Sequence, residues 1–423
     1  MASFIPLQYN SQCITFPEWV SLFTLCFAPL VAHVVSGIPQ ISYLAQNRPK
    51  WYDYLCHYNP TSILWRYAAI TDRRIRVTRW SCESLAASNA ILWTGKGWDG
   101  GEDMILAADP YCLRYPESTH VRLFSLTVVK TIITTLQGIS AAYSLIGLLA
   151  GIRVINLNPH LGVDQVFMPL AVLGLLRLFP AAWLSEDFTY ASVHEKSSKS
   201  FRSSSLSQAM LELNTSHESL DPFLMAPPHL GVRFKSPRSS RPSMVFRILY
   251  ILILGGLLAI SLLHISPTPK KVYNWTTFVT ALFYSVLLTI SIALYIYYFF
   301  YSHTTTTLLP CISTTWYRIY TLLVIGWMIV LVVIASIETN QSPGGRYTSY
   351  PFVNVVKCSQ NTSWWYFYPY SDFFGIVSTM KRNQTRSKYS PVAITKLSEH
   401  NVSLEEAWWL HKFTGYCVGN LNT

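Results

Sequence analysis

The sequence predicts an all-α polytopic membrane protein with about six transmembrane helices, a cytoplasmic interfacial helical loop and a small mixed α/β extracytoplasmic C-terminal domain. Two observations predict this class. Only 13% of the 423 residues are charged, whereas soluble domains average about 25%. Six windows, none containing Asp or Glu, are apolar and long enough to cross a hydrocarbon core of roughly 30 Å, which takes about 20 helical residues.

These six windows divide the chain into short and long segments. The predicted spans are Trp19–Ile38, Val128–Gly151, Gln165–Leu184, Val245–Ile265, Thr276–Phe300 and Tyr317–Ile337. Residues 1–18 carry no Lys or Arg and no A-x-A-like cleavage site, so we expect the first span to be retained and residues 1–18 to be extracytoplasmic. Residues 338–423 follow the last span.

The distribution of Lys and Arg predicts the orientation of the chain. Residues 39–127 hold ten of these residues and residues 185–244 hold seven, whereas residues 152–164 hold one. The positive-inside rule therefore places both large loops in the cytoplasm and both termini outside it. Lys270 and Lys271 go against this pattern. The basic residues flank apolar spans, which favours contact with anionic lipids over nucleic acid.

The C-terminal segment carries two features of an oxidising, lumenal or extracellular compartment. Its glycosylation sequons are at Asn340, Asn361, Asn383 and Asn401. Cys358 and Cys417 are its only cysteines, and we expect them to form a disulfide, with two buried thiols as the alternative. These features predict a glycoprotein of the plasma membrane or of a secretory-pathway endomembrane, although a further sequon at Asn214 falls in the cytoplasmic linker.

Within the first large loop, Asn59–Trp80 is predicted to form a helix on the cytoplasmic membrane surface. Asn59 and Pro60 are typical of a helix start, and Trp65 and Trp80 favour the headgroup level. The basic residues expected to contact anionic lipids are Arg66, Arg73, Arg74, Arg76 and Arg79. A second short helix is expected over Glu83–Trp93, ending at a glycine-rich turn.

The second large loop, residues 185–244, has the composition of a disordered linker. Fifteen of its sixty residues are Ser, several beside Arg. Regulatory phosphorylation and a simple solvated tether both fit this composition.

Two intramembrane polar residues are the candidates for a functional site. Arg177 lies near the middle of the third span, and a buried Arg usually faces a cavity or a partner; the alternative is snorkelling to the cytoplasmic face. His33 in the first span fits an interior hydrogen-bonded histidine better than a ligand. The spacing of His, Cys and acidic residues predicts neither a metal site nor a bound cofactor.

One part of the sequence resembles a known group of proteins. The run PKWYDYLCHYNPTSILWRYAAITDRRIRVTRW from Pro49, with ASNAILWTGKGWDG up to Gly100, is similar to a segment of uncharacterised multi-pass integral membrane proteins of filamentous fungi. The spans between Val128 and Leu184 belong to the same pattern. The resemblance covers the first half of the chain and implies a fungal membrane protein, without an activity.

The sequence therefore favours a non-enzymatic function: recognition, scaffolding or transport of a small molecule at the membrane. No catalytic motif such as GxSxG, HExxH or a P-loop is present. The alternative is a membrane-embedded enzyme of lipid, terpenoid or secondary metabolism, with Arg177, His33 and Asp72 as its ionisable groups.

Overall fold

The computed structural model describes residue 14, residues 16–150 apart from 39, 46, 95 and 96, and residues 161–191, 234–265, 275–341 and 347–349. The centre of the predicted linker and most of the C-terminal segment lie outside this part of the chain. The two ends of the linker are folded, in contrast to the prediction of a disordered 185–244 loop: Thr189–Tyr190 is a strand and Arg241 begins a long helix.

The described residues are mostly helical. The elements are α1 (Phe16–Gly37), β1 (Ile41–Tyr43), α2 (Trp51–Tyr58), α3 (Pro60–Arg76), α4 (Cys82–Asn89), β2 (Ile91–Thr94), β3 (Gly97–Asp99), α5 (Met104–Ala108), β4 (Cys112–Arg114), α6 (Leu126–Ala150), α7 (Met168–Gly174), β5 (Thr189–Tyr190), α8 (Arg241–Ile265), α9 (Trp275–Ile296), α10 (Thr315–Glu338), β6 (Asn340–Gln341) and β7 (Tyr347–Thr348). One 3-10 turn precedes α7, at Val163–Gln165, and two follow it, at Leu175–Leu178 and Ala181–Trp183. A π-helical turn at Tyr297–Tyr301 extends α9.

Four of the described helices are long and apolar enough to cross a membrane. They cover Phe16–Gly37, Arg241–Leu263, Trp275–Tyr301 and Thr315–Glu338. Large apolar side chains remain exposed on their outward faces, including Leu252 on α8 and Leu323 on α10, each 65% exposed. Exposed apolar surface costs roughly 25 cal/mol per Å² in water and nothing comparable in lipid. The described helices are therefore those of an integral membrane protein.

The predicted third span, Gln165–Leu184, is not one continuous helix. It contains α7 and two 3-10 turns, interrupted at Phe179 and Pro180. Proline has no backbone N–H to donate, which explains a break at this position. Broken helical segments occur at membrane depth only where surrounding protein satisfies their backbone groups, and this segment packs against α1 and α6.

The connections between the long helices gather at two opposite ends of the bundle. At one end, which we call the loop end, Thr307 N–H donates to the carbonyl of Gly100, joining residues 38–125 to the segment between α9 and α10. At the other end, which we call the far end, the Glu338 carboxylate accepts from the Thr276 N–H at 2.8 Å, and Thr339 Oγ1 accepts from the Val163 N–H at 2.9 Å. Helices α1 and α9 therefore run towards the loop end, whereas α6, α8 and α10 run towards the far end.

Helix α3 is enclosed by the bundle at its loop end. As predicted, Asn59 caps it, accepting from Thr61 N–H at 3.0 Å. The helix does not lie on a membrane surface: Trp65 is fully buried and stacks on Phe299 with ring centroids 4.5 Å apart. The Leu64 carbonyl accepts from the Tyr250 hydroxyl of α8 at 2.8 Å. Basic composition suggested an interfacial helix, but tertiary packing buries most of this one.

The predicted helix Glu83–Trp93 is shorter than expected. Helix α4 ends at Asn89, and Ile91–Thr94 forms the central strand of a three-stranded sheet, parallel to β1 and antiparallel to β3. An Ile-Leu-Trp-Thr run has the β-branched and aromatic composition of a strand. In the antiparallel pair of β2 and β3, Trp93 lies opposite Trp98.

Gly138 allows α6 to pack closely against α7 and the 3-10 turn that follows it. A Cβ at this position would lie 2.6 Å from side-chain atoms of Leu175 and 2.8 Å from the Ala171 carbonyl oxygen. The Ala171 oxygen cannot move away without a shift of the backbone. Such small-to-large changes in a packed interface usually cost about 1–3 kcal/mol.

We therefore expect Gly138→Ala to lower the free energy of unfolding by about 1–3 kcal/mol, measured by thermal unfolding of the detergent-purified protein. Gly326→Ala is the matched control, because a Cβ there meets nothing within 4 Å. Alanine is the better helix former, so the control is expected to be neutral or stabilising by up to about 1 kcal/mol. Equal effects of the two substitutions would contradict the close contact.

Candidate functional site

The five arginines predicted to lie on the membrane surface occupy different environments. Arg66, Arg73 and Arg76 are buried, Arg74 is partly exposed and Arg79 is exposed. Contact with lipid headgroups requires an accessible guanidinium group. The predicted membrane-surface role therefore does not hold for the three buried residues, which protein atoms surround.

Arg73 joins α3 to two connecting segments at the loop end. Its guanidinium donates to the carbonyl oxygens of Gly100 and Thr305 and, at 3.1 Å, to the Ser88 hydroxyl. Side-chain donors of this kind satisfy carbonyl groups in irregular backbone, which would otherwise be costly to bury. Arg73 therefore connects α3 to the segments that contain Gly100 and Thr305.

Asp72 is the carboxylate at the centre of a buried charge cluster. One oxygen accepts from Ser243 Oγ and from Arg247 Nε at 2.8 Å. The other accepts from Arg76 Nε at 2.8 Å and Arg247 Nη2 at 2.7 Å. Arg76 also pairs with Glu102. Every lone-pair direction of the carboxylate is therefore used, and the cluster joins α3 to α8.

Two opposing effects act on the pKa of the Asp72 carboxyl. Burial raises it, but the hydrogen bond from Arg247, the positive charges of Arg76 and Arg247 and the bond from Ser243 lower it by more. The pKa therefore lies below the ordinary value of 3.8. Because the carboxylate stays charged and saturated, it has no free lone pair to act as a general base.

Arg177, the first of the two intramembrane candidates, caps the C-terminus of α1. Its guanidinium donates to the Ser36 carbonyl and, through Nε at 2.9 Å, to Thr131 Oγ1. Arg66 donates to the next α1 carbonyl, that of Gly37, at 3.0 Å. The last carbonyls of a helix lack intrahelical partners and carry partial negative charge. Helix α1 has no basic residue of its own in its last turn.

Arg177 therefore faces protein partners and does not line the cavity described below. It is 1% exposed, so it does not snorkel to solvent. Its guanidinium lies 6.0 Å from the Tyr67 ring centroid, and its donors contact protein oxygens. These contacts give Arg177 a structural role, because they hold the end of α1 against α6.

His33, the second candidate, lies one turn before the end of α1. It is buried, and both ring nitrogens lack hydrogen-bond partners among the described residues. A Cβ on Gly174 would lie 3.9 Å from Nδ1, so the ring faces α7. No group of three His, Cys, Asp or Glu residues suited to a metal ion occurs in the described part of the chain.

Of the predicted C-terminal sites, Asn340 is the one within the described residues. Asn340 lies in β6, whereas Asn361, Asn383, Asn401, Cys358 and Cys417 lie outside the described residues. The cysteines that the structure describes as free are Cys26, Cys56, Cys82, Cys112 and Cys311.

A cavity of about 260 Å³ lies between α6, α7, α8 and α9. Its described lining is Ala141, Ser144, Leu161, Gln165, Met168, Pro169, Val172, Leu173, Leu257, Ile260, Ser261, Thr277, Thr280, Ala281, Tyr284 and Leu288. An apolar cavity of about 150 Å³ already takes up benzene. This one is large enough for a small organic molecule or part of a lipid chain.

Few polar groups line the cavity, and one has no partner. Thr280 is 1% exposed, and its Oγ1 makes no hydrogen bond within the described structure. A helical hydroxyl side chain can bond to a carbonyl one turn earlier, as Ser261 does here to Leu257 at 3.2 Å. Tyr284 donates to the Val166 carbonyl at 3.1 Å. A pocket that is mostly apolar, with a few convergent polar groups, is the usual form of a small-molecule site.

No pattern in the sequence indicates this cavity. Neither His33 nor Arg177 lines it. Residues 277, 280, 281, 284 and 288 of α9 recur at helical spacing and therefore share one face. That periodicity predicts a buried face, but it does not distinguish a face that packs against a neighbour from one that borders a void.

The fold and the cavity define a helical integral membrane protein with a pocket between its helices. Comparison of the chain with protein-family models, with curated proteins and with solved structures finds no match. The resemblance to fungal membrane proteins stays a prediction.

Proposed function

We propose that this chain is a non-enzymatic membrane protein that binds a small, mostly apolar molecule in the cavity between α6, α7, α8 and α9. The observation that carries the proposal is a cavity of about 260 Å³ whose lining includes the buried, unpartnered hydroxyl of Thr280. Leaving a buried hydroxyl without a partner costs about 1–3 kcal/mol. A bound molecule with an acceptor would remove that cost.

The chemistry of the lining favours recognition over catalysis. Tyr284 is the only ionisable side chain among the described lining residues. General acid–base catalysis and nucleophilic catalysis most often use His, Asp, Glu, Lys, Cys or Ser with an adjacent base. Ser144 and Ser261 line the cavity but donate to backbone carbonyls of their own helices.

Filling the cavity tests the proposal. We expect Ala281→Phe to abolish saturable binding of 1-aminoanthracene, an uncharged apolar fluorophore, to the detergent-purified protein, because Ala281 is buried and lines the cavity. Ala293→Phe on the exposed face of the same helix is the matched control and should bind like the wild type. Mass spectrometry of extracts from each purified protein should find a co-purifying small molecule in all but Ala281→Phe.

The unfolding midpoint shows whether the variant is folded. A side chain that fills an existing cavity without overpacking should leave the unfolding midpoint unchanged or raise it. Unchanged dye binding by a folded Ala281→Phe would show that the dye lies elsewhere and would contradict the proposal.

We further propose six membrane crossings, the broken 163–183 segment among them, with the loop end in the cytoplasm and the C-terminus lumenal or extracellular. The charge bias supports this orientation, because the ten Lys and Arg of residues 39–127 belong to the loop-end segment. Protease protection of a C-terminal tag in sealed vesicles tests it. Cleavage of the tag from the cytosolic side would contradict the orientation.

A further inference from the structure

The polar groups of the cavity are distributed unevenly along its length. Helix α9 begins at the far end, so Thr277 and Thr280 lie nearer that end than Leu288. At a rise of 1.5 Å per residue, Thr277 and Leu288 are separated by roughly 16 Å along the helix. The α9 wall of the cavity therefore has hydroxyl groups at the far end and a hydrocarbon side chain deeper in the bundle.

The other helical walls repeat this order. Helix α8 ends at the far end, so Ser261 lies outward of Leu257. Helix α6 runs in the same direction, so Ser144 lies outward of Ala141. The segment through α7 runs the opposite way, and Gln165 precedes Leu173.

Tyr284 lies deeper in the cavity but fits the same arrangement. Its hydroxyl donates to the carbonyl of Val166, one residue after Gln165. At the far end, Leu161 N–H donates to Thr277 Oγ1 at 3.2 Å. That bond uses an acceptor site of the Thr277 hydroxyl and leaves its proton available. Thr277 and the unpartnered Thr280 are therefore hydroxyl donors at the polar end of the cavity.

Resting on the function proposed above, we propose that the occupant is an uncharged single-chain amphiphile. Its polar end, a hydroxyl, ester or ketone oxygen, lies beside Thr277 and Thr280 at the far end, and its hydrocarbon end lies beside Leu257 and Leu288. This is the orientation that a lipid has in the leaflet at that end. A charged headgroup is disfavoured, because the described lining offers no ion-pair partner and an unpaired buried charge is costly.

Three ten-carbon probes test the chemistry: decane, 1-decanol and decanoate at pH 8. Each competes with 1-aminoanthracene, and each affinity is corrected for partition into detergent. We expect 1-decanol to bind roughly 3- to 10-fold more tightly than decane, the value of one net hydrogen bond. Decanoate should bind more weakly than either. Equal affinity for decane and 1-decanol, or strongest binding of decanoate, would overturn the inference.

Thr280→Val removes the hydroxyl while keeping the shape of the side chain. We expect this variant to lose the preference for 1-decanol and to bind decane as the wild type does. Thr289→Val is the matched control, because Thr289 is exposed on the same helix, and it should keep the preference. A parallel loss of affinity for decane and 1-decanol in Thr280→Val would assign Thr280 a purely structural role and overturn the inference.

Photo-crosslinking tests the orientation of the bound molecule. A diazirine placed beside the hydroxyl of 1-decanol should label the chain around Gln165 and Thr277, and one at the terminal carbon should label it around Leu257 and Leu288. The reverse pattern would overturn the proposed orientation. The proposed function fails separately, if the wild type does not bind the fluorophore saturably or if Ala281→Phe binds it normally.

Discussion

Replacing Asp72 with Asn is expected to lower the free energy of unfolding by about 3–5 kcal/mol. Arg247 is fully buried and directs two of its nitrogens at this carboxylate. Removing one partner of a buried ion pair leaves the other charge uncompensated, which is the physical basis of a loss of this size. Arg76 retains Glu102 as a partner. The measurement is the midpoint of thermal unfolding of the purified protein at pH 7.

Asp187→Asn provides the matched control. Asp187 forms an ion pair with Arg114 at 2.6 Å, but that pair is exposed, with 61% of the Arg114 side chain and 37% of the Asp187 side chain accessible. Exposed pairs usually contribute about 0–1 kcal/mol. A fall in the midpoint as small for Asp72→Asn as for Asp187→Asn would show that the buried cluster does not stabilise the fold.

A double variant distinguishes the cost of the uncompensated Arg247 charge from the cost of the hydrogen bonds lost in Asp72→Asn. Arg247→Met in the Asp72→Asn background removes the uncompensated guanidinium, so the double variant should be more stable than Asp72→Asn alone.

The sign of the pH dependence of stability follows from the lowered pKa of Asp72. Its contribution to stability is fully present above the ordinary pKa of 3.8 and is lost as the pH falls below that value.

Replacing Arg177 with Met is expected to destabilise the fold by about 1–3 kcal/mol. The substitution keeps most of the side-chain volume but leaves the Ser36 carbonyl at the end of α1 without its donor. Each buried carbonyl left without a partner costs about 1–3 kcal/mol. Removal of a buried charge that lacks a carboxylate partner offsets part of that cost.

A binding measurement distinguishes a structural Arg177 from a ligand-binding one. Arg177 does not line the cavity, so the folded Arg177→Met protein should bind 1-aminoanthracene as the wild type does. Arg79→Met is the control, because Arg79 is exposed, and it should change neither stability nor binding. Unchanged stability together with lost binding in Arg177→Met would support the alternative, a ligand contact inside the bundle.

Sequence reasoning was most successful where one physical property dominates a segment. The predicted spans Trp19–Ile38 and Tyr317–Ile337 agree with α1 and α10 to within a few residues, because about 20 consecutive apolar residues have few other stable environments. The cap at Asn59 was also predicted correctly, because capping depends only on residues adjacent in the chain.

The same reasoning failed for the basic residues of α3. A cluster of arginines is usually solvated, and the sequence contained no sign that Arg73 or Arg76 would meet partners far along the chain. Those partners include Thr305 and Lys235. Burial of an arginine depends on whether the folded chain brings acceptors to it, and that information is distributed over the whole sequence.

By itself, the sequence determined that this chain forms apolar helices suited to a membrane and that α3 begins at Asn59. Both properties arise from the composition of short stretches. Only the tertiary structure decided that α3 is enclosed, that Arg177 caps α1 and that a cavity lies beside Thr280. A cavity is the space that remains after several helices have packed, and a capping contact needs a donor and a carbonyl from distant residues, so neither is encoded by any single segment.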